Sequence, residues 1–521
     1  MKNTKLFAFL MVLLMVVPMI LTACGGGGGT TTSETPGIQA PTQEQGDPAD
    51  RYDIDVKDLG GHEFMFLVYD DPAHKHLDCH EVYAAELTGD KINDAVYSRN
   101  AQLAQTYNCT VSEERCTKSE LIASVKEPLI AGEYVYDFIY TSLISLKSLA
   151  SSGLLVDFYS LDNIHLEKNW WDHNLAKGIT VAGKLFYVNG DAGTLDDRDA
   201  QVMFFNRDLI EKNYLEDPFQ LAKNGEWTID KLFELSEACW EDLDGDGVFV
   251  VGKDVAAYMC PGQANWTHVV ACGGLTLSDV DEKGNIYLPG GIKKEILDVW
   301  GELRPLLTSP HRDVSDSGSR FRNGRAAFYI MNLGSILNYG DSAFNFGVLP
   351  LPKRNAEQDK YYTTMEGGWL GVYSIPTTVD NMDEGDYKKA GFESGKEFCA
   401  YFLNAFGYYS RDTLTPAFYE DVVKRQMIRD ETSLEMLELA VENKVYDPVA
   451  LYSFGNIAFS MFRSVGCLHW SGTNSDYVGA VGDGTNYDTL TSKYAERLEA
   501  ARKALNNYIK NTTADDTTEN A

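Results

Sequence analysis

Short apolar runs alternate with longer amphipathic stretches over the first third of the chain body. Residues 62–69, His-Glu-Phe-Met-Phe-Leu-Val-Tyr, predict a strand, and a helix with apolar side chains at helical spacing follows over about residues 90–107. Strands that alternate with helices at this spacing indicate βαβ units, so the predicted fold class is α/β with a mainly parallel sheet. The alternation continues with strands at 110–112 and 136–140 and helices at 119–130 and 144–151.

The carboxyl ends of such strands are the first places to look for ligand contacts, because open α/β sheets bind ligands just beyond them. Asp70 directly follows the first strand, and Thr141 directly follows the third. Both side chains are therefore candidate contacts.

A second run of elements begins with a strand at 202–206 and a helix at 207–213. Thr228 has the side chain of a good N-cap, and the apolar positions after it predict a helix from about residue 229 to residue 240. The later elements are strands at 325–330, 345–350 and 371–376 and helices at 387–403, 432–441 and 488–509.

The amino terminus has a different pattern. Two lysines precede an apolar run over residues 6–21, which is shorter than the roughly 20 residues of a spanning helix and is typical of a secretory signal. The four residues that end at Cys24, Leu-Thr-Ala-Cys, resemble the lipobox of bacterial lipoproteins. This implies removal of residues 1–23, a lipid on Cys24 and a location on the extracytoplasmic face of the cell membrane. The alternative is an ordinary signal peptide with an incidental cysteine. Residues 24–50, rich in Gly, Thr, Ser, Pro and Gln, predict a flexible tether.

Length and charge narrow the possibilities further. The remaining body of about 450 residues suits two sizeable units better than one core. The formal net charge is −32, which argues against nucleic acid as a partner. Secretion would permit disulfides, and Cys109/Cys116 and Cys260/Cys272 are close enough in sequence to pair, but free buried thiols are equally consistent with these spacings.

Four stretches, taken in order, resemble one protein family. Each is weak alone, but after a lipobox the set resembles the extracellular solute-binding proteins of ABC importers, in the carbohydrate-type branch that is maltose-binding-protein-like (family 1). The stretches are residues 136–141 (Tyr-Asp-Phe-Ile-Tyr-Thr) followed by 152–157, residues 204–209 (Phe-Phe-Asn-Arg-Asp-Leu), residues 227–232 (Trp-Thr-Ile-Asp-Lys-Leu), and residues 323–328 (Asn-Gly-Arg-Ala-Ala-Phe) ahead of 347–353.

The resemblance implies a two-lobe periplasmic-binding-protein-like fold (type II). Its discontinuous lobes would be joined by hinge strands and would close on a ligand in a central cleft. Lobe one would hold residues 51–199 and 365–407, and lobe two residues 200–364 and 408–509, while residues 510–521 would fray.

The resemblance also implies a function. The chain would be a monomeric, lipid-anchored binding protein that captures a sugar or oligosaccharide and delivers it to the permease subunits of an ABC importer, with no turnover and no catalytic cofactor. Two alternatives remain open. The same fold could bind a peptide or a metal ion, or the chain could be a secreted carbohydrate-active enzyme that uses paired carboxylates.

Candidate ligand contacts follow from the chemistry of sugars, whose hydroxyls need polar partners and whose C–H faces stack on aromatic rings. Core packing is the competing explanation for each aromatic. Many family members place a stacking tryptophan shortly after the strand at 325–330, where this chain has Asn332, so the usual platform is in doubt. The candidates are Asp70, Thr141, Trp171, Asp197, Arg198, Trp266, Asn332, Glu366 and Trp369, with Trp470 as a further one.

The sharpest local motif is acidic. Asp242, Asp244 and Asp246 alternate ahead of a glycine, as in the first half of a calcium loop, and Asp254 would be a fourth ligand. Lys253 occupies the twelfth position, where a bidentate Glu belongs, so a solvated acidic turn is the alternative to structural calcium. A second cluster (His74, His76, Cys79, His80) could hold zinc, but a polar loop is the better interpretation because no other ligand set is in view.

Overall fold

The computed structural model describes residues 47–74, 77–261, 264–282, 284–315, 318–340, 342–422, 431–457 and 487–513. The signal sequence, Cys24, most of the tether, His76 and Trp470 lie outside these residues. The short segment before Ile54 is a separate unit with a 3₁₀ helix at Pro48–Asp50. The body begins at Ile54.

Short strands run through most of the described body. They are β1 (Glu63–Asp70), β2 (Thr110–Thr117), β3 (Phe138–Ser142), β4 (Gln201–Asn206), β5 (Ala256–Met259), β6 (Asp279–Val280), β7 (Ile286–Tyr287), β8 (Arg312–Asp313), β9 (Ala326–Asn332), β10 (Phe346–Leu349), β11 (Thr363–Thr364), β12 (Gly371–Ser374) and β13 (Lys444–Val445).

Helices fill the connections. They are α1 (Lys91–Tyr107), α2 (Lys118–Ala131), α3 (Leu143–Ala150), α4 (His173–Ile179), α5 (Leu195–Arg198), α6 (Arg207–Lys212), α7 (Pro218–Lys223), α8 (Ile229–Glu237), α9 (Ala264–Ala271), α10 (Lys294–Leu307), α11 (Gly318–Arg322), α12 (Glu384–Lys389), α13 (Gly395–Val422), α14 (Glu431–Val441), α15 (Pro448–Leu451) and α16 (Tyr487–Thr512), with 3₁₀ helices that include Leu333–Asn338.

The first sheet has the strand order β12-β3-β1-β2. β1 runs parallel to both β2 and β3, and β12 joins antiparallel to β3, so the predicted α/β class with a mainly parallel sheet is confirmed. Apolar side chains of β1 and α13 interdigitate beneath it, and the rings of Phe64 and Phe402 stack with centroids 3.7 Å apart. This stacking packs α13 against one face of the sheet.

The second sheet has the order β10-β4-β9-β5-β8. β4 pairs antiparallel with β9 and β10, and β5 runs parallel to β8 and β9. Phe204, Phe321, Tyr339 and Phe346 form its aromatic core. The predicted N-cap of α8 is confirmed, since the Thr228 hydroxyl accepts from the amide of Lys231.

The chain crosses between the two sheets more than once, and the crossing segments are hydrogen-bonded to each other. The Thr363 hydroxyl donates to the carbonyl of Gln201 at 2.6 Å, and the amide of Glu366 donates to Oδ2 of Asp199 at 2.8 Å. β11 also pairs in parallel with β13, which belongs to a third segment. These contacts tie the connections into one joint.

The helix predicted to end near residue 403 instead continues as α13 to Val422. It passes through the lobe boundary expected between Gly407 and Tyr408, and that boundary stays a prediction. Position 407 of this helix favours glycine, because the Cβ of any larger residue would lie only 2.9 Å from Cδ1 of Trp170. Close packing, rather than a chain break, explains this glycine.

Cysteine pairing is resolved for the described residues. The candidates Cys109, Cys116, Cys260 and Cys272 are free thiols, as are Cys79, Cys239 and Cys399. Burial raises the pKa of the Cys109 thiol to about 12, so this sulfur is unreactive. Within the described ranges, no helix combines the length and apolarity that a membrane crossing requires.

Candidate functional site

A cavity of ≈340 Å³ is lined by side chains from distant parts of the chain. Residues 80–93 and strand β2 contribute most of the lining, and α5 with its N-cap, just before the crossing into β4, contributes Arg198 and Thr194. Leu337 and Phe418 complete it, and both pack against the aromatic core of the second sheet. Segments that pack against each of the two sheets therefore meet at this cavity.

The polar part of the lining is organised by Arg115. Its Nη2 lies 2.9 Å from Oδ1 of Asp70 and 3.1 Å from Oδ2 of Asp78, and its Nη1 donates to the carbonyl of Cys79 at 2.5 Å. Burial opposes ionisation of Asp78, but hydrogen bonds from His80 and from a backbone amide keep the pKa of this carboxyl below its usual value. Asp70, a predicted contact, thus reaches the cavity through Arg115.

Arg198, also a predicted contact, lines the cavity directly. Its guanidinium forms a short ion pair with Glu81, and the Thr194 hydroxyl donates to Oε1 of Glu81 at 2.6 Å. Burial alone would raise the pKa of Glu81, but the charge of Arg198 outweighs this and lowers it. The pair is fully buried on the Glu81 side, so it is a rigid part of the wall.

Glu113 differs from the other carboxylates of this region. Its Oε1 lies 3.4 Å from Nη1 of Arg115, whereas its Oε2 has no hydrogen-bond partner among the described residues. The side chain is 12% exposed, and burial raises the pKa of the carboxyl above its usual value. A buried oxygen without a partner is costly, and here it belongs to a residue that lines a cavity.

The remaining lining is aromatic and aliphatic. Tyr83 is 44% exposed and lies beside Ile92, Leu337 and Phe418 in the cavity wall. An exposed ring next to hydrogen-bonding groups is the arrangement that a sugar face requires. The sequence interpretation missed Tyr83, because a tyrosine in Glu-Val-Tyr-Ala-Ala carries no local signal of function.

The other predicted contacts lie elsewhere. Trp171 is buried, with its Nε1 donating to the carbonyl of Ile164 at 3.1 Å, and Trp266 is buried on α9, so their placement favours core packing. Asn332 caps the 3₁₀ helix that follows it, where its Oδ1 accepts from the amide of Ser335 at 3.1 Å.

The three remaining candidates lie in or next to two neighbouring strands of the first sheet. Thr141 is in β3, and Glu366 and Trp369 precede β12 in the chain. Thr141 is fully buried in β3, and its hydroxyl has no partner among the described residues. Trp369 is half-buried, with its ring centroid 4.8 Å from that of His74. The His74 ring in turn lies 3.1 Å from Asp71, and His80 lies 3.1 Å from Asp78. These partners favour the polar-loop interpretation of the histidine segment over zinc.

Asp197 belongs to a buried group that we call the crossing cluster: Asp172, Asp196, Asp197 and Lys444. Lys444 Nζ lies 2.8 Å from Oδ2 of Asp196, 2.6 Å from Oδ1 of Asp197 and 3.8 Å from Oδ2 of Asp172. Burial, together with the charges of the other two aspartates, raises the pKa of Asp196 to about 7 despite the lysine. The cluster joins the segments on which the crossings depend.

The acidic loop holds three of its four predicted calcium ligands together. The carboxylates of Asp242, Asp244 and Asp246 lie within 4.8 Å of one another. Asp254 instead accepts from the amides of Leu243 at 3.0 Å and Val250 at 2.7 Å, so its carboxylate links the two ends of the loop.

Comparison with known proteins places this fold. The model of a family described as bacterial extracellular solute-binding protein matches residues 100–384, over half of the chain. No curated protein sequence matches.

Solved structures extend the likeness. The chain is similar to the sugar-binding protein MalE from the phytopathogen Xanthomonas citri, at 12% identity over 85% of this chain and 98% of that chain with a TM-score of 0.53. It is similar to a sugar transporter from Rhizobium etli in an open conformation, at 13% identity over 85% and 99% with a TM-score of 0.51. It is also similar to UspC from M. tuberculosis, at 14% identity over 85% of this chain and 100% of that chain with a TM-score of 0.50. At these identities the likeness shows the two-lobe fold.

Proposed function

Because the chain belongs to the bacterial extracellular solute-binding proteins, we propose that it captures a carbohydrate in the cavity of ≈340 Å³ and delivers it to an ABC importer. An extracytoplasmic location follows from the family. Sugars are named as ligands or cargo of similar structures, among them the MalE protein of Xanthomonas citri and a cyclo/maltodextrin-binding protein complexed with maltotetraose.

The observation that carries the proposal is the mixed lining of the cavity. Tyr83 offers an exposed ring, while Asn93 and Glu113 offer polar groups in the same lining. This combination suits a ring with an apolar face and hydroxyls at its edge. Residues held by both sheets line the same volume, so hinge closure would bury the ligand between them.

The test is a thermal-shift and calorimetry screen of the full chain against oligosaccharides, peptides and divalent cations. A carbohydrate at 100 times its Kd should stabilise the protein by about 2.7 kcal/mol. Stabilisation by peptides alone would overturn the proposal in favour of that alternative, and so would stabilisation by divalent cations alone if it persisted in Asp244→Asn, where the acidic loop has lost a ligand. Product analysis of the same sugar mixtures checks turnover, and the appearance of cleavage products would refute a pure binding role.

We further propose that Cys24 carries the lipid that holds the chain, as a monomer, next to its permease. The sequence at Cys24 supports this part of the proposal. Replacing Cys24 by Ala should release the protein into the medium and abolish labelling with a radioactive fatty acid. Retention of C24A on the membrane would contradict the anchor.

We also propose structural calcium in the acidic loop. Three convergent carboxylates offer the hard oxygen ligands that calcium prefers. Gly245 and Gly247 donate their amides to Asp242 at 2.7 Å each, and these bonds lower the pKa of its carboxyl. The loop lies outside the cavity lining, so calcium would stabilise the fold without taking part in ligand capture.

A further inference from the structure

Negative charge exceeds positive charge around the cavity. Some of these groups line it directly, and the others are hydrogen-bonded to lining residues or lie next to them in the chain. The carboxylates are those of Asp70, Asp78, Glu81, Asp90 and Glu113, and the cations are Lys91, Arg115 and Arg198, with Arg99 farther away behind Val82.

The guanidinium groups are already committed to the protein. Nη2 of Arg115 is shared between Asp70 and Asp78, and its Nη1 donates to the carbonyl of Cys79. Arg198 is paired with Glu81. The positive charges of these two guanidinium groups are therefore paired with carboxylates of the protein itself.

Arg99 is likewise occupied. It is fully buried, donates to the carbonyl of Val82 at 2.8 Å and to the hydroxyl of Ser410 at 3.1 Å, and packs over the ring of Phe406. Its role is to hold the segment that carries Tyr83 against α13. It does not supply a free cation to the cavity.

Glu113 holds the charge that the wall leaves unsatisfied. Its ion-pair partner among the described residues is Arg115, whose Nη1 lies 3.4 Å from Oε1 of Glu113 and whose contacts to two other carboxylates are shorter. Oε2 has no partner among the described residues, and burial penalises the ionised form. A cation brought in by the ligand would meet both needs at once, because it would supply a hydrogen bond and a compensating charge.

We propose that the captured carbohydrate carries a protonated amino group, as an amino sugar does, and that Glu113 binds this group while Tyr83 packs against the sugar ring. This inference rests on the proposed function and narrows its ligand class. Glu113 is then the residue that separates a basic sugar from a neutral one of the same size. The acidic surface of the chain, at a net charge of −32, also favours approach of a cationic ligand.

The experiment compares two ligand series with one backbone, oligomers of glucosamine and the N-acetylated oligomers of equal length. Their affinities for the full chain are measured by calorimetry at about pH 6.5 and low ionic strength. A charge-assisted hydrogen bond in a partly buried site should make the amine series bind about 10- to 100-fold more tightly. This comparison needs no variant, so a folding defect cannot obscure it.

Glu113→Gln tests the assignment to this residue, and Glu114→Gln is its matched control. Glu114 is the next residue on β2, is exposed, and accepts from the hydroxyl of Tyr136 rather than lining the cavity. E113Q should reduce the preference for the amine to less than about threefold, whereas E114Q should leave it unchanged.

The possible outcomes distinguish failure of the amino-sugar inference from failure of the proposed carbohydrate capture. Equal or tighter binding of the N-acetylated or another neutral oligosaccharide would overturn the amino-sugar inference and leave carbohydrate capture standing. Failure of every carbohydrate in the screen to bind would overturn both. A preference for the amine that survives in folded E113Q would remove Glu113 from its role.

Discussion

The surroundings of the cavity and the crossing cluster both hold more carboxylates than cations, but the two regions satisfy this surplus in different ways. In the crossing cluster one lysine serves three aspartates, and two tyrosines supply the missing donors. The hydroxyl of Tyr446 lies 2.5 Å from Oδ2 of Asp172, and that of Tyr419 lies 2.6 Å from Oδ2 of Asp197. The surplus is settled inside the protein.

In the cavity the surplus is left open at Glu113. Its neighbours give their hydrogen bonds to one another, and one carboxylate oxygen has no partner among the described residues. This difference distinguishes a structural role from a ligand-binding role for two acidic groups of similar composition. Charges whose partners are all internal hold segments together, whereas an unmet oxygen beside an open volume is suited to a ligand.

The largest expected effect is on the crossing cluster. Lys444→Met should destabilise the fold by about 3–5 kcal/mol, because it leaves three buried carboxylates without their cation. Urea unfolding measures the loss. Lys177→Met, at an exposed position of α4, is the control and should change stability by less than about 0.5 kcal/mol. Equal losses in both variants would break the comparison, since the cluster would then have no special role.

The pH dependence of stability sharpens the same point. The pKa of Asp196 is about 7 in the folded protein, against 3.8 for an ordinary aspartate, so between these pH values the folded state binds the extra proton. Stability from this group is therefore present at low pH and is lost as pH rises through that window, by up to about 4 kcal/mol.

The measurement is the difference in unfolding free energy between the wild type and Asp196→Asn at several pH values from about 4 to 8. The wild type should lose stability relative to D196N as pH rises, because the amide keeps its contact with Lys444 and cannot ionise. A difference that stays flat across this range would show that Asp196 is ionised throughout and that the lysine alone settles the cluster.

The acidic loop is a third case, in which the surplus faces solvent. Calcium at 100 times its Kd should stabilise the fold by about 2.7 kcal/mol, and a chelator should reverse this. Asp244→Asn should reduce the response, because Asp244 is one of the three convergent ligands. Glu282→Gln, in another turn, should not. A calcium response that is unchanged in D244N would place the ion elsewhere.

The same contrast explains how far the sequence could predict the molecule. Strand β1 was predicted almost to its ends, because burial on both faces makes it a continuous apolar run. Strand β2 was predicted only over residues 110–112, yet it extends to Thr117. Its second half, Glu-Glu-Arg, looks polar because β2 is the edge strand, and the side chains of Glu113 and Arg115 line the cavity. The pattern thus hid Glu113 and Arg115, which matter most for the site.

The rest of the site depends on contacts between residues far apart in sequence. Arg198 was found because it precedes a crossing, a position that the family resemblance makes informative. Tyr83 could not be found, because it lines a cavity only when Leu337 and Phe418 are brought beside it. Local periodicity reports burial, and it carries no information about which distant side chains share a cavity.

The smallest expected effect concerns Tyr83, and it tests whether the cavity is a binding site at all. Tyr83→Ala should weaken binding of the identified carbohydrate about tenfold, or about 1.4 kcal/mol, because the ring offers stacking area to the sugar. Its unfolding free energy should change little, since the side chain is 44% exposed. Tyr287→Ala, at 46% exposure outside the cavity lining, is the matched control and should leave affinity unchanged. If Y83A lost stability but kept its affinity, the ring would be structural, and the cavity would resemble the crossing cluster rather than contrast with it.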